Sequence, residues 1–147
     1  MGEKRHYKIR TSAKDITTTV VAQEHQLIMD EPLKFGGSDK GPTPLHAILG
    51  TLASCESITA FAAAKAMKLN IEELTFEVIG ELDPRGMKGD PNVKTYFEKV
   101  EMTIKIKTTE PIENIHKLKD KVEERCPVYN LFKAADVKVI QRWEKVE

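Results

Sequence analysis

The sequence predicts an α+β fold in which antiparallel sheets wrap long central helices, with two chains sharing one intertwined core. Three observations predict it. The first 35 residues are β-prone, two alternating strands follow beyond residue 70, and between them runs a long helix that is apolar nearly all round. A helix without a polar face requires cover on every side. One small sheet leaves part of such a rod bare, so a second long helix or a second subunit is expected against it.

Taken in order, "HYKIRT", "TTTVVA" and "HQLIMD" carry the β-branched and aromatic residues of short strands. Glu31-Pro32 and "GGSDKGPTP" break that pattern. Thr43 is then the candidate N-cap and Pro44 the first helical residue, where a missing N–H is harmless. The helix is expected to run to about Lys68, with Asn70 at its end. Leu45 to Met67 contains only Glu56 and Lys65 as formal charges, over about 35 Å of length. In "EELTFEVIGEL", Leu74, Phe76 and Val78 alternate as in a strand. "DPRGMKGDPN" is a loop, and Val100, Met102, Ile104 and Ile106 share one face of a second strand, so the two form an antiparallel hairpin. Ile112, Ile115, Leu118 and Val122 give the next helix a single apolar stripe. Pro127 interrupts it, "VYNLFKAA" adds a turn or two, and "DVKVIQRW" reads as a last strand.

The 147 residues fit one domain, 1–147. Hydrophobic residues at 40% and charged residues at 31% are ordinary globular usage. Lysine plus arginine balances aspartate plus glutamate at 23 each, which gives none of the basic excess that nucleic-acid binding usually leaves. "MGEKRHYKIR" lacks the apolar stretch of a secretory signal. No uninterrupted apolar run approaches the roughly 20 residues that span a bilayer. The expectation is a cytoplasmic protein with neither membrane nor nucleic acid as partner. In that setting two cysteines are no disulfide scaffold, and a disulfide is more often catalytic or redox-sensing than structural.

Candidate chemistry narrows to the thiols. His6, His25, His46 and His116 form no HxxxH or HExxH pattern, and no CxxC occurs, so metal is not expected. "FGGSDKGPTP" precedes a helix start, where anions bind, yet it matches no phosphate-loop pattern. No GxSxG marks a nucleophilic serine. Cys55 by itself reads as a small core hydrophobe. Cys126 stands before Pro127 at a helix break. As an N-cap it would meet unpaired N–H groups and a helix dipole, which favour thiolate. Core filler, a disulfide and a redox pair all remain open from the residues alone.

"GGSDKGPTPLHAILGTLASCESIT", followed by a hairpin, a helix and "ERCPVYNLF", resembles the family of osmotically inducible protein C and the organic hydroperoxide resistance proteins, the OsmC/Ohr family, over nearly the whole chain. The resemblance implies a homodimeric, thiol-dependent peroxidase acting on organic hydroperoxides. It makes Cys55 the attacking thiol, which becomes a sulfenic acid, and Cys126 the resolving thiol, which closes a disulfide. An external dithiol then reopens that disulfide, and no metal, flavin or haem is required. The family also uses an arginine, for which Arg10 is the candidate, and often a glutamate nine or ten positions before the cysteine. There this chain has His46 and Leu45, so His46 either takes over that role or marks a weakened site. The alternative is a small-ligand-binding or redox-sensing relative without efficient turnover. His46 and Cys55 are about 13.5 Å apart along one straight helix, so a contact between them requires a partner chain or a bent lead-in. Glu56 faces elsewhere on the helical wheel and is expected to be harmless to the thiol.

Overall fold

The computed structural model describes residues 2–147, which form two compact units, one ending at Ile48 and the other beginning at Leu49. The first unit is an antiparallel three-stranded meander of β1 (Arg10–Lys14), β2 (Thr17–Ala22) and β3 (His25–Met29), in that order across the sheet. Arg10 pairs with Val21 and Lys14 with Thr17. β1 therefore starts at Arg10 rather than at His6, because β2 offers it only these partners. Asp15 and Gln23 begin the two tight turns with φ of 57° and 56°, a conformation that short polar side chains tolerate best.

After β3 the chain winds around the buried carboxylate of Asp30. Its Oδ1 accepts the N–H groups of Glu31 (2.8 Å) and Ser38 (3.2 Å), and its Oδ2 accepts the Thr17 hydroxyl (2.8 Å) and the Lys40 N–H (3.2 Å). The glycine-rich loop thus spends two of its N–H groups on an internal anion, which fits a connecting role. A Cβ on Gly37 would run into the Glu31 carbonyl, so the tightness of this winding demands glycine there.

α1 (Pro44–Ala66) starts as the sequence predicts. Thr43 Oγ1 accepts the His46 N–H at 3.2 Å, the bond of an N-cap. The helix ends earlier than expected. Leu69 N–H reaches the Ala64 carbonyl (2.8 Å) and Lys68 N–H the Lys65 carbonyl (3.2 Å), with Lys68 at φ 58°. This is a Schellman ending in which Lys68, not Asn70, is the left-handed residue.

In the second unit, β4 (Ile71–Glu81), β5 (Lys99–Thr108) and β6 (Lys138–Val146) form a sheet in that order. β4 and β5 are the expected antiparallel hairpin, whereas β5 and β6 run parallel. The expectation of antiparallel sheets throughout fails at this one pair. The two helices between β5 and β6, α2 (Ile112–Arg125) and α3 (Pro127–Ala134), carry the chain back before it re-enters the sheet, as a parallel connection requires. Val100, Met102, Ile104 and Ile106 of β5 are fully buried, as are Ile115, Leu118 and Val122 of α2. Gly80 of β4 lies under Phe97 and Leu49, and a Cβ there would come within 2.6 Å of the Phe97 ring.

Within this single chain α1 is not covered all round. Leu52, Glu56, Ala60, Ala63 and Ala64 form one buried stripe, while Ile58 is 69% and Phe61 42% exposed. By length and composition alone α1 also suits a membrane span, although polar and charged residues interrupt its apolar run. Its buried stripe gives it a protein partner instead, in the core that includes β5 and α2.

Candidate functional site

The second unit brings the two cysteines together. Cys55, in the middle of α1, is half-buried and packs against the core, and Cys126 is fully buried. Both are free thiols, and Cys55 lies close enough to act on the Cys126 side chain. Cys126 ends α2 and caps α3, so Pro127 does start a new helix. Its sulfur accepts the Tyr129 N–H at 3.4 Å. Asn130 Nδ2 donates to the carbonyls of Glu123 (2.9 Å) and Cys126 (2.8 Å), which pins the break from the far side.

The cap does not produce the thiolate that its position suggested. Burial pushes the Cys126 thiol up to about 12, and the nearby Cys55 and Glu56 add to the rise, while only the Tyr129 N–H opposes them. One backbone donor does not offset complete removal from water. Cys126 is a thiol at neutral pH.

Glu56, judged harmless from the wheel, is fully buried. It shares a stripe with Leu52 and Ala60, four residues to either side, and that spacing is the signal that marks it as inward-facing. Gln141 Nε2 donates to Glu56 Oε2 at 2.8 Å, and Trp143 Nε1 donates to Gln141 Oε1 at 3.0 Å. The indole N–H fixes which end of the Gln141 amide faces the carboxyl. Glu56 Oε1 has no hydrogen-bond partner among the described residues. Burial, then the charge of Glu123, raise the carboxyl to about 8, against the pull of Gln141 and Lys119. Glu56, Gln141 and Trp143 form a hydrogen-bonded chain beginning beside Cys55 in sequence, which no motif announces. The last two lie on a strand whose partner could not be read from periodicity.

Arg10 and His46 belong to the first unit. Arg10 stands exposed on β1 and lines a surface cavity with Lys8, Ile9, Val21 and Gln23. His46 lies in the first turn of α1, its Nδ1 2.6 Å from Thr43 Oγ1. That hydroxyl also accepts the His46 backbone N–H.

A family model described as OsmC-like protein matches residues 37–140. A hydroperoxide reductase of Mycoplasma pneumoniae is 29% identical over 119 residues, 80% of this chain and 79% of that protein. The crystal structure of an OsmC-like protein from Mycoplasma pneumoniae has a TM-score of 0.85 at 24% identity, covering 99% of this chain and 100% of that one. That of an organic hydroperoxide resistance protein from Elizabethkingia anophelis has a TM-score of 0.74 at 19% identity, covering 98% and 100%. The two structures agree in fold with this α+β chain.

Proposed function

The chain belongs to the OsmC-like protein family, and from that premise we propose that it is a thiol-dependent hydroperoxide reductase. The observation that carries the reading is that the two free thiols, Cys55 and Cys126, lie close enough together to act on each other. The relative named hydroperoxide reductase supports the reaction class.

In the proposed cycle the Cys55 thiolate attacks one peroxide oxygen. The O–O bond breaks with its electron pair on the other oxygen, which leaves as an alcohol after taking a proton. Cys55 becomes a sulfenic acid. Cys126 then displaces hydroxide from that sulfur, a disulfide forms and water departs. An external dithiol returns both residues to thiols by exchange. Cys55, half-buried rather than fully buried, is the more accessible of the two and takes the attacking role. Arg10 is the proposed cation for its thiolate. His46 is proposed to supply a hydrogen bond across a homodimer interface. The cytoplasm is the proposed location.

The full burial of Cys126 favours a second reading, a redox-sensing protein in which the disulfide closes slowly and turnover is poor. Single-turnover mass spectrometry with the two serine variants tests the first. Cys55→Ser is expected to abolish peroxide consumption. Cys126→Ser is expected to allow one turnover, to leave a sulfenic acid on Cys55 that dimedone traps, and to over-oxidise in excess peroxide. A sulfenic acid on Cys126 with Cys55 intact would reverse the roles, and unreacted thiols in the wild type would end the peroxidase reading. Sustained turnover with a dithiol separates enzyme from sensor.

A further inference from the structure

A resolving thiol held near 12 has almost no thiolate at neutral pH and needs a proton acceptor. The groups facing this region come from three elements. α2 contributes Glu123 and Lys119, the α2–α3 break and α3 contribute Cys126 and Tyr129, and β6 contributes Gln141 with Trp143 behind it. Glu123 is tied to Lys119 at 2.9 Å and remains partly exposed. Glu56, next to Cys55 in sequence, is the fully buried carboxyl, with one oxygen held by Gln141 and the other without a partner. Such an orphaned buried oxygen is rare and costly. It is aligned by a second side chain, as a group kept for proton transfer would be.

We propose that Glu56 is the acid–base group of the resolving step: its Oε1, which the Cys126 thiol does not bond in the resting chain, takes that thiol's proton as the sulfur moves to attack Cys55, and passes it to the departing group. The proposal rests on the thiol cycle above and adds a residue to it. The Cys126 sulfur supplies the electron pair of the new S–S bond. The S–O bond of the Cys55 sulfenic acid breaks with its pair on oxygen, and the proton held by Glu56 completes the water. The carboxyl ends the step as it began. Burial places its own ionisation at about 8, close enough to neutrality for both halves of the transfer. Gln141 leaves Oε1 as the free atom, so Gln141 and Trp143 are positioning residues.

The test uses no peroxide. An aromatic disulfide reagent first converts Cys55 to a mixed disulfide, and Cys126 then displaces a coloured aromatic thiolate by the same deprotonation. Its release is followed by stopped flow from about pH 6 to about pH 10 in the wild type, Glu56→Gln and Glu56→Asp, with Cys126→Ser as the silent control. The wild-type rate is expected to climb through about pH 8, where half of the carboxyl is ionised, and to level off above it as the carboxylate becomes fully formed. Glu56→Gln is expected to release roughly tenfold more slowly at neutral pH, with a rate that climbs about tenfold per pH unit and does not level. Glu56→Asp should restore part of the rate and the levelling. Equal rates and profiles in the wild type and Glu56→Gln would overturn the proposal, and so would a slower Glu56→Gln that keeps the levelling, since that is a packing effect. If these results hold while peroxide yields no sulfenic acid in any variant, Glu56 stands and the peroxidase reading falls.

Discussion

Glu56 has a thermodynamic signature of its own. Its carboxyl is raised from 4.5 to about 8 in the folded chain. Between those values the folded state holds a proton that the unfolded chain has lost, so stability falls as pH rises. Glu56→Gln removes this dependence. It is expected to be more stable than the wild type at pH 8 by roughly 2–4 kcal/mol, with the difference fading toward pH 4.5. Denaturant unfolding at the two pH values checks it, and an unchanged difference would mean that burial does not raise the Glu56 carboxyl. A residue that lowers stability where it works is a common trade at functional sites. Arg10 makes the complementary prediction. Arg10→Ala should slow the reaction of Cys55 with hydroperoxide by roughly tenfold and raise the pH at which Cys55 is alkylated. An unchanged alkylation profile would assign the cation elsewhere.

Among elements, the winding after β3 depends most on one side chain. Burial alone would raise the Asp30 carboxyl, but hydrogen bonds from the Glu31 N–H, the Thr17 hydroxyl and the N–H groups of Lys40 and Ser38 outweigh it and hold it at about 2. The sign is opposite to that of Glu56. Its contribution is complete above the ordinary 3.8 and is lost as pH falls through about 2. Asp30→Asn replaces an acceptor with a donor facing N–H groups. It is expected to lower the thermal midpoint by several degrees at neutral pH and by little near pH 2. Equal losses at both ends of that range would assign the effect to packing. The elements differ in how plainly the sequence announces them. β5 was legible from its alternation, α2 from its stripe, and the start of α1 from Thr43-Pro44, because each follows a local rule. The end of α1 was placed late because Lys68 is an uncommon left-handed residue, and local chemistry pointed to Asn70. The direction of β6 depends on what the two preceding helices do to the path of the chain, which no local pattern records.

At the scale of the whole molecule, the outward side of α1 poses the question that its composition raised. Ile58, at 69% exposure, and Phe61, at 42%, lie on a helix whose other side is in the core. A homodimer that covers them is the proposed state. Light scattering at micromolar concentration is expected to give twice 16.6 kDa. Ile58→Glu, which places a carboxylate at that face, should shift the protein to the monomer mass. A wild type that is already monomeric would refute the proposed assembly. The thiol pair was legible because a Cys-Pro break stands out in a chain with only two cysteines. Its acid–base surroundings were not, since burial of Glu56 and its bond to Gln141 join positions far apart in sequence and follow from tertiary packing.

That join has a consequence for anyone who would redesign the protein. Trp143 orients Gln141, and Gln141 partners Glu56, so the three positions are a single unit of substitution. Changing Gln141 or Trp143 alone strands a donor or an acceptor in the dry interior, whereas exchanging the whole set for apolar side chains of matched volume strands nothing. At Gln141 and Trp143 the single replacement is therefore the harsher one, and the drastic triple replacement is the one that the core should accommodate.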